Sequence, residues 1–222
     1  MPAVHTLPIR EPFWRWLSRF PPDPIVDQDN GADRVAIIMD DRDDDVVRRV
    51  YANAITVLGP TWNHRFLRQH GGGWAEYNRL FFSSEFWGGI PEAFVLIYQR
   101  DTVLFRRVPD AAFQWDMIGA PCGAIGTQHW TMNGGLSLRR RAAMLDMLQI
   151  EDTTSEPEDR FFTRVLRHWG GRIPDLQTAA QFAAESGPCI MGRPVGVHGT
   201  DKHYMSDEQG WQLVNDALAE IA

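Results

Sequence analysis

The sequence predicts an α/β domain of Rossmann-like type, in which helices flank a mostly parallel central sheet. Two apolar runs, residues 34–39 and 93–98, show no polar alternation and are typical of strands buried on both faces. A helical pattern over residues 46–58 follows the first run, as in a β-α-β unit. The chain has 222 residues, of which 44% are hydrophobic, so it can bury such a sheet without disulfide or metal support.

The N-terminal segment, residues 1–33, is rich in proline, tryptophan and aspartate. Pro21, Pro22 and Pro24 break any helix that begins before them. We predict an extended arm that lies over a domain formed by residues 34–222. The alternative is a disordered leader, because proline-rich acidic segments are often mobile.

The domain itself is predicted to alternate strands and helices. Acidic residues at 40–45 follow the first strand and are suited to cap the helix at 46–58, which Gly59 and Pro60 end. The remaining elements follow in order: a turn at 71–73, a helix over 74–86, the strand at 93–98, a short strand at 113–118, a turn at 133–135, helices over 139–148 and 160–169, a short helix or turn at 178–185, a strand at 194–198 and a helix over 207–221.

Composition excludes several classes of protein. The 22 basic and 29 acidic residues give a net charge of −7, whereas a protein that binds duplex DNA normally carries a basic surplus. No apolar run is long enough to span a bilayer, and charged residues interrupt the N-terminal segment, so we predict neither a transmembrane segment nor a signal peptide. Only Cys122 and Cys189 are present, which favours a reducing compartment, and we predict a cytoplasmic protein.

Asp101 is the most informative candidate for a functional residue. It lies just beyond the buried strand at 93–98, and ligands of open α/β sheets bind at the carboxyl ends of the strands. A carboxylate there is suited to hold a divalent cation. A turn-capping aspartate is an equally good interpretation of this residue alone.

Three further segments contain residues that could bind or react. Asn133-Gly134-Gly135 would let backbone N–H groups approach a phosphate or sugar oxygen, although most Asn-Gly pairs are simply turns. Glu158 and Asp159 are ordinary helix-start residues, but one of them could instead face a cleft as a general base. His198 ends a strand and is either a metal ligand or a hydrogen-bonded histidine in a turn. The sequence contains no glycine-rich phosphate loop, nucleophile elbow or dinucleotide fingerprint.

In this order, the four segments resemble the hallmark motifs of nucleotide-sugar glycosyltransferases of the A fold. More narrowly, the chain resembles a glycosyltransferase-like family first catalogued as a domain of unknown function. The resemblance spans residues 34–205 and is carried by the segments Tyr77-Asn78-Arg79-Leu80, Phe86-Trp87, Tyr98-Gln99-Arg100-Asp101-Thr102, Asp116-Met117-Ile118-Gly119, Asn133-Gly134-Gly135-Leu136, Pro157-Glu158-Asp159-Arg160, Phe182-Ala183-Ala184-Glu185 and Pro194-Val195-Gly196-Val197-His198.

The resemblance implies a donor, an acceptor and a cofactor. The donor would be a nucleotide-diphosphate sugar, with a UDP-sugar as the first candidate, and the acceptor a hydroxyl group of a glycan or another molecule. Asp101 and His198 would bind Mn²⁺ or Mg²⁺, although Gln99 stands where the wider fold usually has an acid. Asp159 would be the base of an inverting transfer, with Glu158 as its substitute or orienter. Donor and acceptor would contact Asp40, Arg42, Tyr77, Asn78, Gln99, Arg100, Asn133, Gly134 and Gly135.

Two competing interpretations stay open. A non-catalytic module of the same fold would bind a sugar or a nucleotide without turnover, and the single aspartate of the metal motif favours it. A phosphatase or nuclease is the weaker alternative, because the sequence contains no paired DxD or HxD signature.

Overall fold

The computed structural model describes residues 9–68, 73–123, 130–152, 156–185, 190–202 and 204–221. Cys189 and most of the predicted turn at 71–73 lie outside these residues. Within the described part of the chain, no helix combines the length and the apolar character needed to cross a membrane.

Helices and strands alternate along most of the chain. The helices are Glu11–Leu17 (α1), Asp45–Leu58 (α2), Gly73–Phe81 (α3), Ser84–Gly88 (α4), Arg141–Ile150 (α5), Glu158–His168 (α6), Leu176–Phe182 (α7) and Asp207–Ala219 (α8), with a short 3₁₀ helix at Asp110–Gln114. The strands are Arg34–Asp40 (β1), Asn63–Arg68 (β2), Phe94–Tyr98 (β3), Val103–Leu104 (β4), Met117–Gly123 (β5), Trp130–Arg140 (β6), Ala183–Ala184 (β7) and Gly196–Val197 (β8).

The central sheet has five strands in the order β2-β1-β3-β6-β5. β1 pairs in parallel with β2 and β3, whereas β6 is antiparallel to both of its neighbours, β3 and β5. Four strands therefore point in one direction and β6 in the other. The predicted α/β class with helices that flank a central sheet is confirmed, and the sheet is mixed.

Helices cover both faces of this sheet, which explains why β1 has no polar alternation. Val35 and Ile37 pack into a core with α3, α4, α5 and α6. Ala36 and Ile38 pack into a second core, on the other face, with α1, α2 and α8. Every side chain of the strand centre is thus buried.

The predicted β1-α2 unit is confirmed in detail. Asp44 caps α2, since its side chain accepts a hydrogen bond from the Val47 backbone N–H at 3.0 Å. Gly59 ends the helix with a φ of 74°, a left-handed conformation that glycine adopts without a steric penalty.

The N-terminal segment is helical at α1 rather than extended throughout. Phe13 and Leu17 are completely buried in the core that α2 and α8 share, and α1 packs against α8. The Trp16 indole N–H donates to the Leu104 carbonyl at 3.0 Å. Residues 9–33 therefore contribute side chains to the core, and the boundary at residue 33 stays a prediction.

The largest difference from the sequence-based expectation concerns residues 133–135. They do not form a turn but lie inside β6, and neither glycine has a positive φ. The pairing of β5 with β6 shifts register next to them, between Gly119 and Pro121. A turn was predicted because Asn-Gly pairs favour one, whereas here the lack of side chains serves close packing, as described below.

Other elements also differ from the prediction, and the helix expected over 74–86 is divided into α3 and α4. The strand expected at 113–118 begins only at Met117, because residues 110–114 form the 3₁₀ helix. β2 was not predicted, since its sequence Asn-His-Arg-Phe-Leu-Arg has no apolar run or clear alternation. The backbone hydrogen bonds to β1 hold this segment as a strand, although its sequence has no strand pattern.

Candidate active site

A cavity of about 250 Å³ lies beyond the carboxyl end of β3. Its position agrees with the general rule for ligand sites of open α/β sheets. The residues that line it come from α3, the β3 end, β6, the start of α6 and the segments after β7 and β8: Tyr77, Asn78, Gln99, Asn133, Gly134, Gly135, Pro157, Glu158, Asp159, Glu185, His198, Lys202 and Tyr204.

A second, three-stranded sheet brings Glu185 and His198 to this cavity and places Asp101 beside them. In the order β4-β8-β7, β8 lies between β4 and β7. Asp101 precedes β4, Glu185 follows β7 and His198 follows β8. Because β8 is antiparallel to β4 and parallel to β7, the start of β4 lies beside the ends of β7 and β8. These three residues therefore meet at one end of the small sheet.

His198 is the centre of what we call the charged cluster, formed by Asp101, Glu185, His198 and Lys202. Its Nδ1 lies 3.2 Å from Glu185 Oε1, and its Nε2 lies 3.3 Å from Asp101 Oδ1. Lys202 Nζ donates to the other oxygen of Asp101, Oδ2, at 3.0 Å. The cluster thus holds two carboxylates and two basic groups in mutual contact.

The electrostatics of the charged cluster favour the ionised forms of Asp101, His198 and Lys202. Burial lowers the pKa of His198, but the Asp101 and Glu185 carboxylates outweigh it and raise the value to about 9. Burial would raise the pKa of Asp101, but His198 and Lys202 hold it well below its usual range. His198 is therefore a buried cation at neutral pH in this arrangement.

Glu185 and Lys202 were missed as site residues by sequence reasoning. Glu185 belongs to a segment that carries the family resemblance, but no role followed from the pattern. Lys202 had a signal that could have found it, because it is the only lysine among the 22 lysine and arginine residues of the chain. Its side chain is 36% exposed, and Nζ lies 5.7 Å from the centre of the Tyr204 ring.

The two glycines of β6 are required by the side chains packed against them. A Cβ atom at Gly134 would overlap Glu158 Oε1, and one at Gly135 would overlap the His198 ring. Asn133 adds two polar contacts, because its amide donates to Glu185 Oε1 at 3.1 Å and its Oδ1 accepts from the Gly135 N–H at 2.6 Å. The segment therefore fixes the wall of the cavity.

Glu158 and Asp159 are neighbours in sequence but have different surroundings. Glu158 is buried and forms a two-point ion pair with the completely buried Arg139, at 2.6 and 3.0 Å. We call these two residues the buried pair. The Arg139 guanidinium also lies 4.7 Å from the centre of the Phe81 ring, and the Asn78 side chain accepts from the Glu158 N–H at 2.6 Å. Glu158 is thus held by structural contacts.

Asp159 lines the cavity without such a partner. Its Oδ2 accepts a hydrogen bond from the Gly134 N–H at 3.3 Å, and its Oδ1 accepts from the Arg160 N–H at 2.7 Å. Among the described residues, no basic side chain forms an ion pair with it. Burial raises the pKa of Asp159 above its ordinary value. The hydrogen bonds from backbone N–H groups lower the pKa but do not cancel this rise. A carboxylate in this state is suited to accept a proton.

Tyr77 contributes an unusual hydroxyl group to the same cavity. Its Oη is buried and, within the described part of the chain, interacts with the Gln99 side chain but makes no hydrogen bond of ordinary geometry. A buried hydroxyl group without such a hydrogen bond is energetically unfavourable, so a polar ligand atom in the cavity would stabilise it.

Three of the predicted binding residues do not line the cavity. Asp40 and Arg42 form a two-point ion pair with each other at 2.7 and 2.8 Å. Arg100 forms an ion pair with Asp44, the α2 cap, at 3.1 Å. Contact of these residues with a nucleotide stays a prediction.

The two predicted metal ligands, Asp101 and His198, are brought together, as their 3.3 Å contact shows. They are one carboxylate and one imidazole, however. In the described ranges, no group of three or more histidine, cysteine, aspartate or glutamate side chains is arranged to hold a metal ion. A cation at this place would need a donor of another type.

Comparison with known proteins gives a family match and a similarity to solved structures. The protein family described as "Protein of unknown function (DUF5672)" matches residues 63–198. No curated protein sequence matches the chain. Among solved structures, the apo-form glycosyltransferase GlyE of Streptococcus pneumoniae TIGR4 is similar, with 12% identity and a TM-score of 0.45. The match covers 85% of this chain and 64% of that one.

Proposed function

The chain belongs to the DUF5672 family, and we propose that it transfers a sugar from a nucleotide-diphosphate sugar to an acceptor hydroxyl group. The observation that carries the proposal is the lining of one cavity by two cations, His198 and Lys202, and by Asp159, a carboxylate without an ion-pair partner in the described residues. Cations favour a diphosphate, and an unpaired carboxylate favours proton abstraction.

Lys202 is the proposed contact for the donor diphosphate. A lysine ammonium binds phosphate as a compact point charge, and this one is partly exposed at the cavity. Its contact with Asp101 keeps the ammonium protonated, since the pKa of Lys202 is raised by that carboxylate although burial lowers it. Lys202 can therefore exchange one anionic partner for another without losing its proton.

The sugar would lie against the β6 wall. Asn133, Gly134 and Gly135 present a surface without bulky side chains, which allows close approach of a pyranose ring. The Tyr77 hydroxyl group, whose contact with Gln99 is not a hydrogen bond of ordinary geometry, would bind a sugar hydroxyl. These contacts would orient the donor without supplying charge.

Asp159 is the proposed general base, and Glu158 is not. Glu158 is neutralised by Arg139 and buried with it, so that removing its charge would leave a buried guanidinium without a counterion. In the described ranges, the hydrogen bonds that Asp159 accepts come from backbone N–H groups, which leaves room for the acceptor proton. Base-assisted attack from the face opposite the leaving group inverts the anomeric configuration.

Asp101 and His198 are the proposed holders of Mn²⁺ or Mg²⁺, whose Lewis acidity would stabilise charge on the departing nucleotide diphosphate. Coordination would require His198 to release its Nε2 proton, so the metal would take the place of the His198 charge, while Lys202 acts on the same phosphate charge. A UDP-sugar is the first donor to test.

The test is turnover of radiolabelled nucleotide-diphosphate sugars, measured as transfer and as slow hydrolysis. Asp159→Asn keeps the shape of the side chain and removes the proton acceptor, so we expect kcat to fall by about 10²- to 10⁴-fold with nearly unchanged donor affinity. The matched control is Asp146→Asn, an exposed residue of α5.

Two results would contradict the proposal. Normal turnover by Asp159→Asn would remove Asp159 from the reaction. Tight binding of a nucleotide sugar with neither transfer nor hydrolysis, for every sugar tried, would favour the non-catalytic binding module instead.

A further inference from the structure

Tyr204 presents an exposed aromatic ring at the cavity. It belongs to the cavity lining, and its side chain is 53% exposed. The second aromatic residue of the lining, Tyr77, packs its ring against Phe81, with the ring centres 4.8 Å apart. The other exposed large apolar side chains of the described residues do not line this cavity: Val26, Ile150, Trp169 and Ile221. Tyr204 is therefore the aromatic surface that the described part of the cavity offers to a ligand.

The backbone after β8 supports this ring from one side. It forms a turn in which the Lys202 N–H donates to the Gly199 carbonyl at 3.0 Å. Thr200 fixes the turn to the segment between β3 and β4, since its N–H and its hydroxyl group donate to the Asp101 carbonyl at 3.0 and 2.9 Å. The Tyr204 ring lies against Gly199, where a Cβ atom would be 3.4 Å from Cδ2. A ring supported in this way loses less conformational freedom when a ligand packs on it.

An exposed tyrosine ring is suited to bind the ring of a sugar. The face of an aromatic ring carries partial negative charge, whereas the C–H groups on the flat side of a pyranose carry a slight positive charge. Stacking also removes apolar surface of both rings from water. An acyclic hydroxyl compound has no comparable flat apolar side. The ring can therefore discriminate between a cyclic and an acyclic acceptor.

The surroundings of Tyr204 favour the acceptor over the nucleobase as its partner. Asp159, the proposed base, lines the same cavity, and the acceptor hydroxyl must contact it. Asp40 and Arg42, which are predicted to contact the nucleotide, do not line this cavity. Lys202 Nζ, the proposed diphosphate contact, lies 5.7 Å from the centre of the Tyr204 ring. The ring would thus lie beside the diphosphate on the exposed side, from which an acceptor reaches the donor sugar.

We propose that Tyr204 determines acceptor specificity by stacking on the acceptor, and that this acceptor is a carbohydrate with a pyranose ring. The inference rests on the proposed function and deepens it, because it selects one class among the molecules that carry a hydroxyl group. Tyr204 acts by binding alone, and the acceptor proton still goes to Asp159.

The experiment measures the binding of simple glycosides by saturation-transfer nuclear magnetic resonance, in the presence of UDP. The probes are the methyl pyranosides of glucose, galactose, mannose and N-acetylglucosamine, and the acyclic probes are sorbitol and N-acetylserine amide. We expect at least one pyranoside to bind and the acyclic probes not to bind.

Three variants assign this binding to the ring. Tyr204→Ala should weaken pyranoside binding about tenfold or more, because the stacking contact is lost. Tyr204→Phe keeps the ring and should retain the affinity. Trp169→Ala is the matched control, since Trp169 is 54% exposed and does not line the cavity. Circular dichroism checks the fold of each variant.

Three results would overturn the inference. The first is that Tyr204→Ala binds the pyranosides as tightly as the natural protein does. The second is that the natural protein binds none of them at tens of millimolar, or binds the acyclic probes equally well. The third is that Tyr204→Ala loses affinity for UDP and not for the pyranosides, which would assign the ring to the nucleobase.

The inference and the proposed function fail separately. Turnover of a nucleotide sugar without any pyranoside binding would overturn the inference and leave the proposed function standing. Pyranoside binding that depends on Tyr204, without turnover of any nucleotide sugar, supports the inference and contradicts the proposed function.

Discussion

The buried pair and the charged cluster both contribute carboxylates to the same cavity wall, Glu158 from the first and Glu185 from the second, and both combine carboxylates with basic side chains. In the buried pair, Arg139 and Glu158 satisfy each other at two points and are closed off from solvent. In the charged cluster, His198 contacts two carboxylates, and Lys202 is partly exposed. A closed pair has no capacity for a further ligand, whereas a cluster with shared partners can exchange one of them. The first arrangement stabilises the wall and the second is suited to binding.

The strongest test of this difference is removal of one charge from the buried pair. Glu158→Gln leaves the Arg139 guanidinium buried without a counterion, so we expect the free energy of unfolding to fall by about 3–5 kcal/mol. Urea denaturation measures it. The neighbouring Asp159→Asn is the control and should change it by less than about 1 kcal/mol.

A second variant keeps this prediction informative. Replacing both partners, as Arg139→Met with Glu158→Leu, removes the unpaired charge and should recover most of the lost stability. If Glu158→Gln unfolds at the same urea concentration as the natural protein, the buried pair does not stabilise the fold. The proposed difference in role between the buried pair and the charged cluster would then be wrong.

His64 sharpens the comparison, because it is a buried basic residue without a charged partner. It is completely buried on β2, and neither ring nitrogen has a hydrogen-bond partner among the described side chains. Burial lowers the pKa of His64 to about 4. In the unfolded chain this histidine takes up a proton near pH 6.5, but in the folded protein it does not.

Stability should therefore fall as the pH falls. The contribution of neutral His64 is complete above about pH 6.5 and is lost toward pH 4, with a loss of about 2 kcal/mol between pH 6.5 and 5. Urea denaturation at several pH values measures it. His64→Phe, which cannot titrate, should flatten the curve in this window. An equally steep curve in the variant would show that another group titrates there.

The smallest expected effect concerns the charged cluster itself. Lys202→Met removes a partly exposed ammonium, and a hydrogen bond to a charged group is worth about 1.5–3 kcal/mol. We expect binding of a nucleoside diphosphate to weaken by about 10- to 100-fold, with little change in stability. Calorimetric titration measures the affinity. Arg193→Met, which changes the charge of an exposed residue by the same amount, is the control. If both variants lose the same affinity for the nucleoside diphosphate, the effect comes from the net charge and not from a contact with Lys202.

The sequence predicts those elements whose stabilising contacts join residues that are near one another along the chain, and it fails for elements held by contacts between distant residues. The β1-α2 unit follows from local signals: an apolar run, the Asp44 cap and the Gly59 stop. β2 carries no such signal and exists through its pairing with β1. The same limit applies to residues 133–135, whose glycines fit around Glu158 and His198, side chains that come from distant parts of the chain.

The candidate site shows the same division. Asp101, His198, Asp159 and the β6 glycines were identified from their order along the chain, and the structure brings them together. The different surroundings of Glu158 and Asp159 were not predictable from their position at a helix start, because Arg139 reaches Glu158 from β6. Glu185 likewise gains its contacts only through the pairing of β7 with β8.

The single lysine of this chain also makes the cavity chemically addressable. Reagents that modify primary amines can react with Lys202 and the amino terminus, and with no other side chain. Reductive methylation with ¹³C-labelled formaldehyde would accordingly place one side-chain probe in the protein, directly at the candidate site. Its nuclear magnetic resonance signal would report the arrival of an anion at Lys202 without crystals, antibodies or an assigned spectrum.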